Sequence, residues 1–371
     1  MLKIALVRGK YLNNFEGQNF ILNKNNFRLS GISSLFPLGK TFLFPVIKVP
    51  SLADLQKNEI ISRSIKFLSN RILGDSQILF GLEKQARKFD IFHSADPHYY
   101  YSYQLAKLRK KRLINKLILT SWETIPFNNE TIYKKKQLKK YSMSEADLFI
   151  CYTTRAKKCL LKEGVSEKKI KIVKLGVDLS RFKTVKRLKK NYITLLFVGR
   201  LVKEKGILDL YEAFKKIQSP NHKFRLKIVG EGPLKSKILK LAKQDGLRSL
   251  VDVETRSYEQ MPKVYPEADI FIMPSKTTKT WEEQYGMVLI EAMASGIPII
   301  AYNSGVILEN LGESGILVKK GDVGALTKTI LDLKSNKELR TKLGKMGRER
   351  AESFFDSRKT AKQFEEIYMN I

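Results

Sequence analysis

Short apolar stretches alternate with helical patterns along the whole chain, and this alternation constrains the fold more than any other feature. Brief apolar runs bounded by turns are typical of buried parallel strands, whose crossover connections are usually helices. Five such runs lie in the first half, at 3–7, 91–93, 117–121, 148–151 and 170–174. Six lie in the second, at 193–198, 226–229, 251–254, 270–273, 298–301 and 315–318. The pattern therefore predicts an α/β fold with two doubly wound parallel sheets.

A charged stretch without apolar periodicity, residues 183–190, separates the two sets of strands and is typical of a linker. We therefore expect Rossmann-like domains over residues 1–185 and 186–356, which fits a 371-residue chain with 43% hydrophobic residues. In open parallel sheets, ligands bind beyond the carboxyl ends of the strands. The chemistry should therefore lie on the loops that follow strands.

Composition argues against several classes. The two cysteines, Cys151 and Cys159, give neither a zinc-site spacing nor a disulfide framework, which favours a reducing compartment. No apolar run approaches the ~20 residues that a membrane span needs. Residues 1–7 are followed at once by Arg8 and Lys10, unlike the apolar region of a signal peptide. We expect a cytoplasmic protein, either soluble or peripheral on the cytoplasmic face of the membrane.

The net charge of +32 is distributed unevenly. Residues 1–190 contain 39 Lys and Arg against 14 Asp and Glu, whereas residues 191–371 contain 30 against 23. A basic half suits nucleic acid, anionic lipid headgroups or a phosphorylated acceptor. The densest run, residues 134–140, holds five lysines. A solvated helix face or simple solubility is the alternative explanation.

A strand followed by glycine and basic residues is the first candidate site. After the strand at 193–198 come Gly199, Arg200 and Lys205, and a helical pattern starts at residue 207. Gly199 allows a sharp backbone turn, and the amides at a helix start favour an anion. A diphosphate suits this position because Arg offers a planar fork and Lys a compact charge. By itself the pattern is also that of a turn with solvated charges.

The second candidate site surrounds a helical pattern that is apolar almost all round. This pattern begins at Gly286 and contains Glu291, a buried carboxylate that needs a partner such as paired sugar hydroxyls. Glu283 precedes the first turn, where the amides near Gly286, Met287 and Val288 face any bound anion. The two glutamates would then hold opposite ends of one ligand. The alternative is a surface glutamate and a core glutamate paired with a lysine.

Taken in order, these segments resemble a known family. The matching segments are Gly199-Arg200, Lys205-Gly206, Gly230-Glu231-Gly232-Pro233, 268–275 and 283–296, preceded by Ala146-Asp147, Gly164-Val165, Lys169-Ile170 and 176–182. They are similar to the family 4 retaining glycosyltransferases, also described as glycosyl transferases group 1, which have the GT-B fold. The resemblance covers roughly residue 145 to the C-terminus and the rest loosely. It implies two Rossmann-like domains facing across a cleft, with the donor held by the second and the acceptor by the first.

The resemblance also implies catalytic roles. Arg200 and Lys205 would neutralise the diphosphate leaving group, in place of a metal ion. Glu283 would bind hydroxyls of the transferred sugar, and Glu291 would accept the ribose hydroxyls. Members of this fold generally act without a metal or other cofactor, and this sequence contains no Asp-x-Asp. The resemblance implies retention of the anomeric configuration without an established protein nucleophile.

Further residues would contact the nucleotide sugar. The backbone at Gly199 and the amides at Gly286, Met287 and Val288 would support the sugar and phosphates. The base would lie near Arg256 and Tyr258. The C-terminal helix, within residues 357–371, would return to the first domain.

The first half departs from the family pattern. The family usually has two adjacent glycines after the first strand, whereas Gly17 is the remaining candidate here for a nucleotide-sugar contact. Trp122 and Glu123 stand where many members have His-Asp; they would bind a sugar, or they are a packed tryptophan and a capping glutamate. His93 and Asp96 would relay a proton from the acceptor, or His93 is a structural histidine.

The combined prediction is a metal-independent hexosyltransferase that moves a sugar, with retention, from a UDP- or GDP-sugar to a glycan or lipid-linked acceptor. The clustered lysines suggest an anionic membrane surface as a further partner. One alternative is a nucleic-acid-binding protein with a degenerate sugar site, although no nucleic-acid motif is recognisable. Another is a nucleotide-sugar epimerase of the same fold.

Overall fold

Two parallel sheets organise the chain. The computed structural model describes residues 1–55, 69, 71–184, 191–219 and 223–371. The chain divides into two units, Met1–Leu175 with Ser357–Ile371, and Gly176–Asp356. Residues 185–190, which hold most of the predicted linker and the predicted boundary after residue 185, lie outside the described residues.

The first unit is built on a parallel sheet of seven strands. They are β1 (Leu2–Val7), β2 (Phe27–Ser33), β3 (Val46–Lys48), β4 (Ile91–Ser94), β5 (Lys116–Ser121), β6 (Leu148–Cys151) and β7 (Ile170–Ile172), in the order β3-β2-β1-β4-β5-β6-β7. The helices are α1 (Asn14–Gly17), α2 (Tyr100–Lys110), α3 (Tyr133–Glu145) and α4 (Thr154–Lys162). Short 3₁₀ helices span Gly9–Tyr11, Gln18–Phe20, Leu52–Leu55, Leu82–Lys88 and Glu167–Lys169.

The second unit is built on a parallel sheet of six strands. They are β8 (Ile193–Val198), β9 (Phe224–Val229), β10 (Val251–Glu254), β11 (Ile270–Met273), β12 (Ile299–Tyr302) and β13 (Ile316–Val318), in the order β10-β9-β8-β11-β12-β13. The helices are α5 (Ile207–Lys216), α6 (Lys235–Gln244), α7 (Met261–Val264), α8 (Met287–Ala294), α9 (Ile307–Leu311), α10 (Val323–Ser335) and α11 (Lys337–Phe354). Short 3₁₀ helices span Lys203–Lys205, Arg248–Leu250, Tyr258–Gln260 and Tyr265–Glu267.

The last helix, α12 (Ser357–Asn370), belongs to the first unit. Its Phe364 stacks on Phe20 with ring centroids 4.4 Å apart. The hydroxyl of Thr360 donates to the carbonyl oxygen of Lys174 (2.8 Å). Burial of these aromatic groups ties the end of the chain to the first sheet.

Each unit has its own hydrophobic core. Side chains from β1, β4, β5 and β6 pack with α2 and α4 in the first unit. In the second, strands β8, β9 and β11 pack with α5, α6 and α10. Strands covered on both faces explain why the sequence shows apolar runs instead of strict alternation. The predicted α/β fold with two doubly wound sheets is confirmed.

Candidate active site

The strand order of the second sheet reverses between β8 and β11, and the loops after these strands approach each other closely. Ligands of doubly wound sheets bind at such a switch point. Gly206 has φ +68°, and a Cβ there would lie 1.8 Å from the carbonyl oxygen of Pro274. The N–H of Lys276 donates to the carbonyl oxygen of Glu204 (2.7 Å). Glycine is required for this approach, which sets Lys205 beside the loop after β11.

Two residues predicted to be catalytic form an ion pair at this point. The Nζ of Lys205 lies 2.7 Å from Oε2 of Glu283. The hydroxyl of Ser275 donates to the same oxygen (2.9 Å), and Nζ also lies 4.9 Å from the ring centroid of Trp281. The carboxylate of Glu283 is held in position by its two partners, and the ammonium of Lys205 is held by the carboxylate and the indole face.

Helix α8 begins at Met287, four residues after Glu283. Gly286 has φ +77°, the left-handed conformation that glycine adopts without strain, and turns the chain into the helix. Met287 and Val288 form its first turn, and Leu289 donates to the carbonyl oxygen of Gly286 (2.9 Å). The free amides of a helix N-terminus favour an anion. The helix therefore presents the positive end of its dipole beside Glu283 and Lys205.

Glu291 lies on the same helix and is buried. The hydroxyl of Tyr265 donates to its Oε2 (2.5 Å). Burial raises the pKa of Glu291 to about 7, while the hydrogen bond from Tyr265 and the charge of Arg181 oppose the rise. The sequence alternative of a core glutamate paired with lysine is wrong in its partner, because a tyrosine satisfies this carboxylate. Tyr265 itself carries no sequence signal, because its position depends on packing against Phe182.

Arg181 connects Glu291 with the residues predicted to lie near the base. Its guanidinium lies 4.8 Å from the ring centroid of Tyr258. It also donates to the carbonyl oxygen of Tyr258 (3.2 Å) and acts electrostatically on Glu291. In the sequence, Arg181 is marked only as part of a segment that matches the family. The structure brings it into contact with the candidate site.

Two further arginines predicted to contact the donor, Arg200 and Arg256, each lie near a glutamate. The side chain of Arg200 is 63% exposed, and its Nη2 lies 3.9 Å from Glu204. Arg256 forms an ion pair with Glu254 (2.5 Å). A Cβ at Gly230 would lie 1.9 Å from the carbonyl oxygen of Gly199, so backbone packing accounts for a glycine at position 230. Arg200 is accordingly available to a ligand, whereas Arg256 would have to exchange its carboxylate partner.

Two family models match the chain. The model described as Glycosyltransferase Family 4 matches residues 46–181, and the model described as Glycosyl transferases group 1 matches residues 178–350. The chain belongs to the family 4 glycosyltransferases. An uncharacterized glycosyltransferase of Methanocaldococcus jannaschii is 28% identical over 295 residues, 79% of this chain and 77% of the relative. The capsular polysaccharide biosynthesis glycosyltransferase CapM of Staphylococcus aureus is 29% identical over 208 residues, 52% of each chain.

Solved structures show the same fold as this glycosyltransferase. HepE of Anabaena in complex with UDP superposes with a TM-score of 0.78 at 15% identity, over 100% of both chains. HepE in complex with UDP-glucose gives a TM-score of 0.76 at 16% identity, again over 100% of both chains. The predicted GT-B fold is confirmed.

In the first unit of the glycosyltransferase, three of the predicted acceptor-side residues follow β4 and β5, and the fourth, His93, lies within β4. The N–H of Trp122 donates to Oδ1 of Asp96 (2.9 Å). Burial raises the pKa of Asp96 to about 7, and Glu123 adds to this rise. Glu123 accepts the N–H groups of Thr124 and Ile125, both at 3.0 Å. Glu123 therefore orders the loop after β5, as in the capping alternative, and Asp96 is a buried acid that titrates near neutrality.

His93 lies in the interior of the first unit. One ring nitrogen is 2.7 Å from the hydroxyl of Tyr368, and the other is 2.7 Å from the hydroxyl of Thr120. Burial and the charge of Arg8 hold the pKa of His93 well below its ordinary value. These surroundings are those of a structural histidine, the alternative to a proton relay.

A buried ion pair lies beside His93, and no sequence motif marks it. Arg8 lies 2.9 Å from Oε1 of Glu16, and Tyr152 donates to the same oxygen (2.8 Å). Arg8 also donates to the carbonyl oxygen of His93 (3.0 Å). Gly17 ends the helix that carries Glu16, and a Cβ there would lie 3.5 Å from Phe44. An ion-pair network therefore stabilises the carboxyl edge of the first sheet. Gly17 packs beside this network, against Phe44.

Across the described ranges, we find no cluster of three or more His, Cys, Asp or Glu side chains that could hold a metal ion. The same ranges contain no helix with the length and hydropathy to cross a bilayer.

Proposed function

We propose that this glycosyltransferase moves a sugar, with retention of configuration, from a nucleoside diphosphate sugar bound by the second unit. The observation that carries the proposal is the placement of Lys205, Glu283 and the N-terminus of α8 around one point. A cation, a carboxylate and free amides are the groups that a sugar diphosphate requires. Glu291, one helical turn further along, suits the ribose.

Each group would take a part of the donor that matches its chemistry. Lys205 and the exposed Arg200 would neutralise the diphosphate as charge develops on the leaving group. Glu283, already oriented by Ser275, would accept hydroxyls of the transferred sugar. Glu291 would accept the ribose hydroxyls, with Tyr265 fixing its carboxylate. Arg181 and Tyr258 would border the base.

The proposed base is uracil. HepE has been solved with UDP and with UDP-glucose, and it shares the fold of this chain along its full length. The proposal that the chain uses a UDP-sugar rests on this likeness and on the phosphate-binding groups above. GDP-sugars are the runner-up and form the comparison arm of the test.

The proposed acceptor is a glycan or lipid-linked glycan held by the first unit, at an anionic membrane surface. The support is the excess of Lys and Arg in residues 1–190 and the exposed lysines of α3. Lys139 of the same helix is buried and forms ion pairs with Glu130 and Glu163. Each Lys or Arg near an anionic bilayer contributes about 1 kcal/mol.

The test uses nucleotide binding and turnover in three variants and a matched control. Glu283→Ala should abolish transfer and leave UDP binding largely intact, because it removes a sugar contact. Glu291→Ala should weaken UDP affinity by roughly 10–150-fold, since charge-assisted hydrogen bonds are lost. Lys205→Met should weaken both, whereas Lys203→Met, on the same 3₁₀ helix and exposed, should change neither. Wild-type turnover in Glu283→Ala would refute the assignment.

Retention and metal independence need separate measurements. Slow hydrolysis of the donor without acceptor releases a sugar whose first anomer is visible by NMR, and retention predicts the anomer of the donor. EDTA should leave turnover unchanged if Arg200 and Lys205 supply the positive charge. Loss of turnover in EDTA, restored by a divalent ion, would overturn the metal-independent mechanism. Conversion of the donor to its epimer would instead identify an epimerase.

A further inference from the structure

Exposed apolar side chains are concentrated in the first unit. Of the eighteen large hydrophobic residues that are at least a third exposed among the described residues, sixteen lie in this unit and two, Leu308 and Phe354, in the second. Five of the sixteen fall between residues 21 and 43: Ile21, Leu35, Phe36, Leu38 and Leu43. An exposed apolar surface of this kind marks an interaction site.

Part of this surface is a groove of about 320 Å³. Its walls are formed by apolar residues from three segments: Met1, residues 20–22 with Phe27 and Leu29, and residues 43–45. Ile21 is 57% exposed and Leu43 is 53% exposed. The groove therefore opens to solvent through large aliphatic side chains.

The charged side chains that line this groove are positive. Lys24 and Arg28 are its two charged lining residues, and both are exposed. Between residues 17 and 53 the sequence holds two further cations, Lys40 and Lys48, and no Asp or Glu. Two carboxylates border the wider apolar region. Glu365 of α12 accepts the N–H of Asn23 (2.5 Å), and Asp54 accepts the N–H groups of Leu35 (3.2 Å) and Phe36 (3.1 Å). The combination of an apolar groove and a cationic rim is complementary to an anionic amphiphile.

The backbone beside the groove is fixed by hydrogen bonds. The N–H of Leu38 donates to the carbonyl oxygen of Lys10 (2.8 Å), and that of Gly39 to Leu12 (2.9 Å). The N–H of Gly31, in β2, donates to the carbonyl oxygen of Pro45 (2.8 Å). These hydrogen bonds order the backbone of the loop between β2 and β3, which lowers the backbone entropy lost when the loop is covered.

We propose that this groove and its cationic rim dock the enzyme on an anionic phospholipid bilayer. Ile21 and Leu43 enter the acyl region, while Lys24 and Arg28 contact lipid phosphates. The inference rests on the proposed function in that a lipid-linked acceptor requires the enzyme at a membrane. The docking surface proposed here differs from the one considered under the proposed function, because the lysines of α3 are not part of the groove.

The test is flotation of the full chain with vesicles of phosphatidylcholine alone or with about a third of phosphatidylglycerol, at low and high salt. Ile21→Ser with Leu43→Ser should weaken partition to the anionic vesicles tenfold or more, because two aliphatic side chains no longer leave water. The control is Leu308→Ser with Phe354→Ser, whose native side chains are 52% and 51% exposed. This control should bind like the wild type.

The charged residues are tested in the same assay. Lys24→Gln with Arg28→Gln should weaken binding to anionic vesicles and reduce its salt dependence. Lys136→Gln with Lys140→Gln changes exposed lysines of α3 and reports the surface suggested by the sequence. If this second pair abolishes binding while the groove variants bind normally, the inference is overturned and membrane docking itself survives.

Insertion is measured with a single reporter. Leu43→Trp should show a blue-shifted emission with anionic vesicles and quenching by lipids brominated on the acyl chain, whereas Leu308→Trp should show neither. UDP binding, measured in every variant, reports the folded second unit and the donor proposal independently. Unquenched Leu43→Trp on bound enzyme would refute insertion. A different result would also overturn the inference. If the wild type binds no vesicles but forms a dimer that the Ile21 and Leu43 double variant does not form, the groove is an interface between two copies.

Discussion

Replacing Glu291 by glutamine should stabilise the second unit at high pH and leave its stability unchanged at low pH. Burial raises the pKa of Glu291 from 4.5 to about 7. An acid with a higher pKa in the folded state holds its proton more tightly there than in the unfolded state. The free energy of unfolding of the wild type therefore falls as the pH rises between 4.5 and about 7.

The size of the effect follows from the width of this window. Each pH unit costs the wild type about 1.4 kcal/mol, so an ionised Glu291 costs about 3 kcal/mol above neutrality. Glutamine has nearly the same shape, accepts the Tyr265 hydroxyl and does not ionise. About 2.5 kcal/mol of this cost arises between pH 5 and pH 8. For a unit the size of Gly176–Asp356, the melting temperature gained by the variant should therefore be larger at pH 8 than at pH 5 by about 5–10 °C.

Calorimetry of wild type and Glu291→Gln at pH 5, 6, 7 and 8 measures this difference. The matched control is Glu231→Gln, because Glu231 is exposed and Lys235 and Thr255 lower its pKa. The control should show no gain that grows with pH. A melting-temperature difference between wild type and Glu291→Gln that stays constant from pH 5 to pH 8 would refute the reasoning. If the stabilised variant also binds UDP more weakly, the carboxylate of Glu291 serves ligand binding at a cost in stability.

Three further substitutions test the packing within each unit, Gly206→Ala in the second and Arg8→Met and Tyr368→Phe in the first. Gly206→Ala should lower the melting temperature and UDP affinity together, because its Cβ would meet the carbonyl oxygen of Pro274 at 1.8 Å; an unchanged protein would contradict the close approach. Arg8→Met should cost about 3–5 kcal/mol in urea unfolding because Glu16 becomes an unpaired buried charge, and the additional Glu16→Met change should restore part of that loss. Tyr368→Phe should cost about 1 kcal/mol, as measured by the same unfolding curves, because it removes one of the two hydrogen-bond partners of His93.

The strands could be predicted wherever their residues are continuously apolar. All six predicted strands of the second unit are present, with ends shifted by at most two residues. Two strands of the first unit, β2 and β3, are absent from the prediction. Ser30 and Gly31 interrupt the apolar run of β2, and β3 has only three residues. Their pairing, such as Gly31 with Val46, is set by the sheet and not by local pattern.

The candidate site was predictable as residue types on loops, but its contacts were not. Glycines and helix starts have local signatures, so the positions of Gly206 and α8 follow from the sequence. The contact between Lys205 and Glu283 joins residues 78 apart, and the Tyr265 hydroxyl reaches Glu291 across 26 residues. Such contacts depend on which strands are neighbours, which periodicity does not encode. Arg8 has no local signature either, because its partner Glu16 lies on a separate helix.

The ion pair of Lys205 with Glu283 has a consequence for donor binding. In the structure each side chain satisfies the other, and Ser275 adds a hydrogen bond to the carboxylate. A sugar diphosphate would offer phosphate oxygens to the ammonium and hydroxyl groups to the carboxylate. The donor would therefore exchange one set of charge-assisted bonds for another and leave no buried charge unpaired. Removing only one of the two residues leaves the other without its charged partner. The nucleotide-free Lys205→Met variant should therefore be less stable than the wild type, and the additional Glu283→Gln change should restore part of the lost stability.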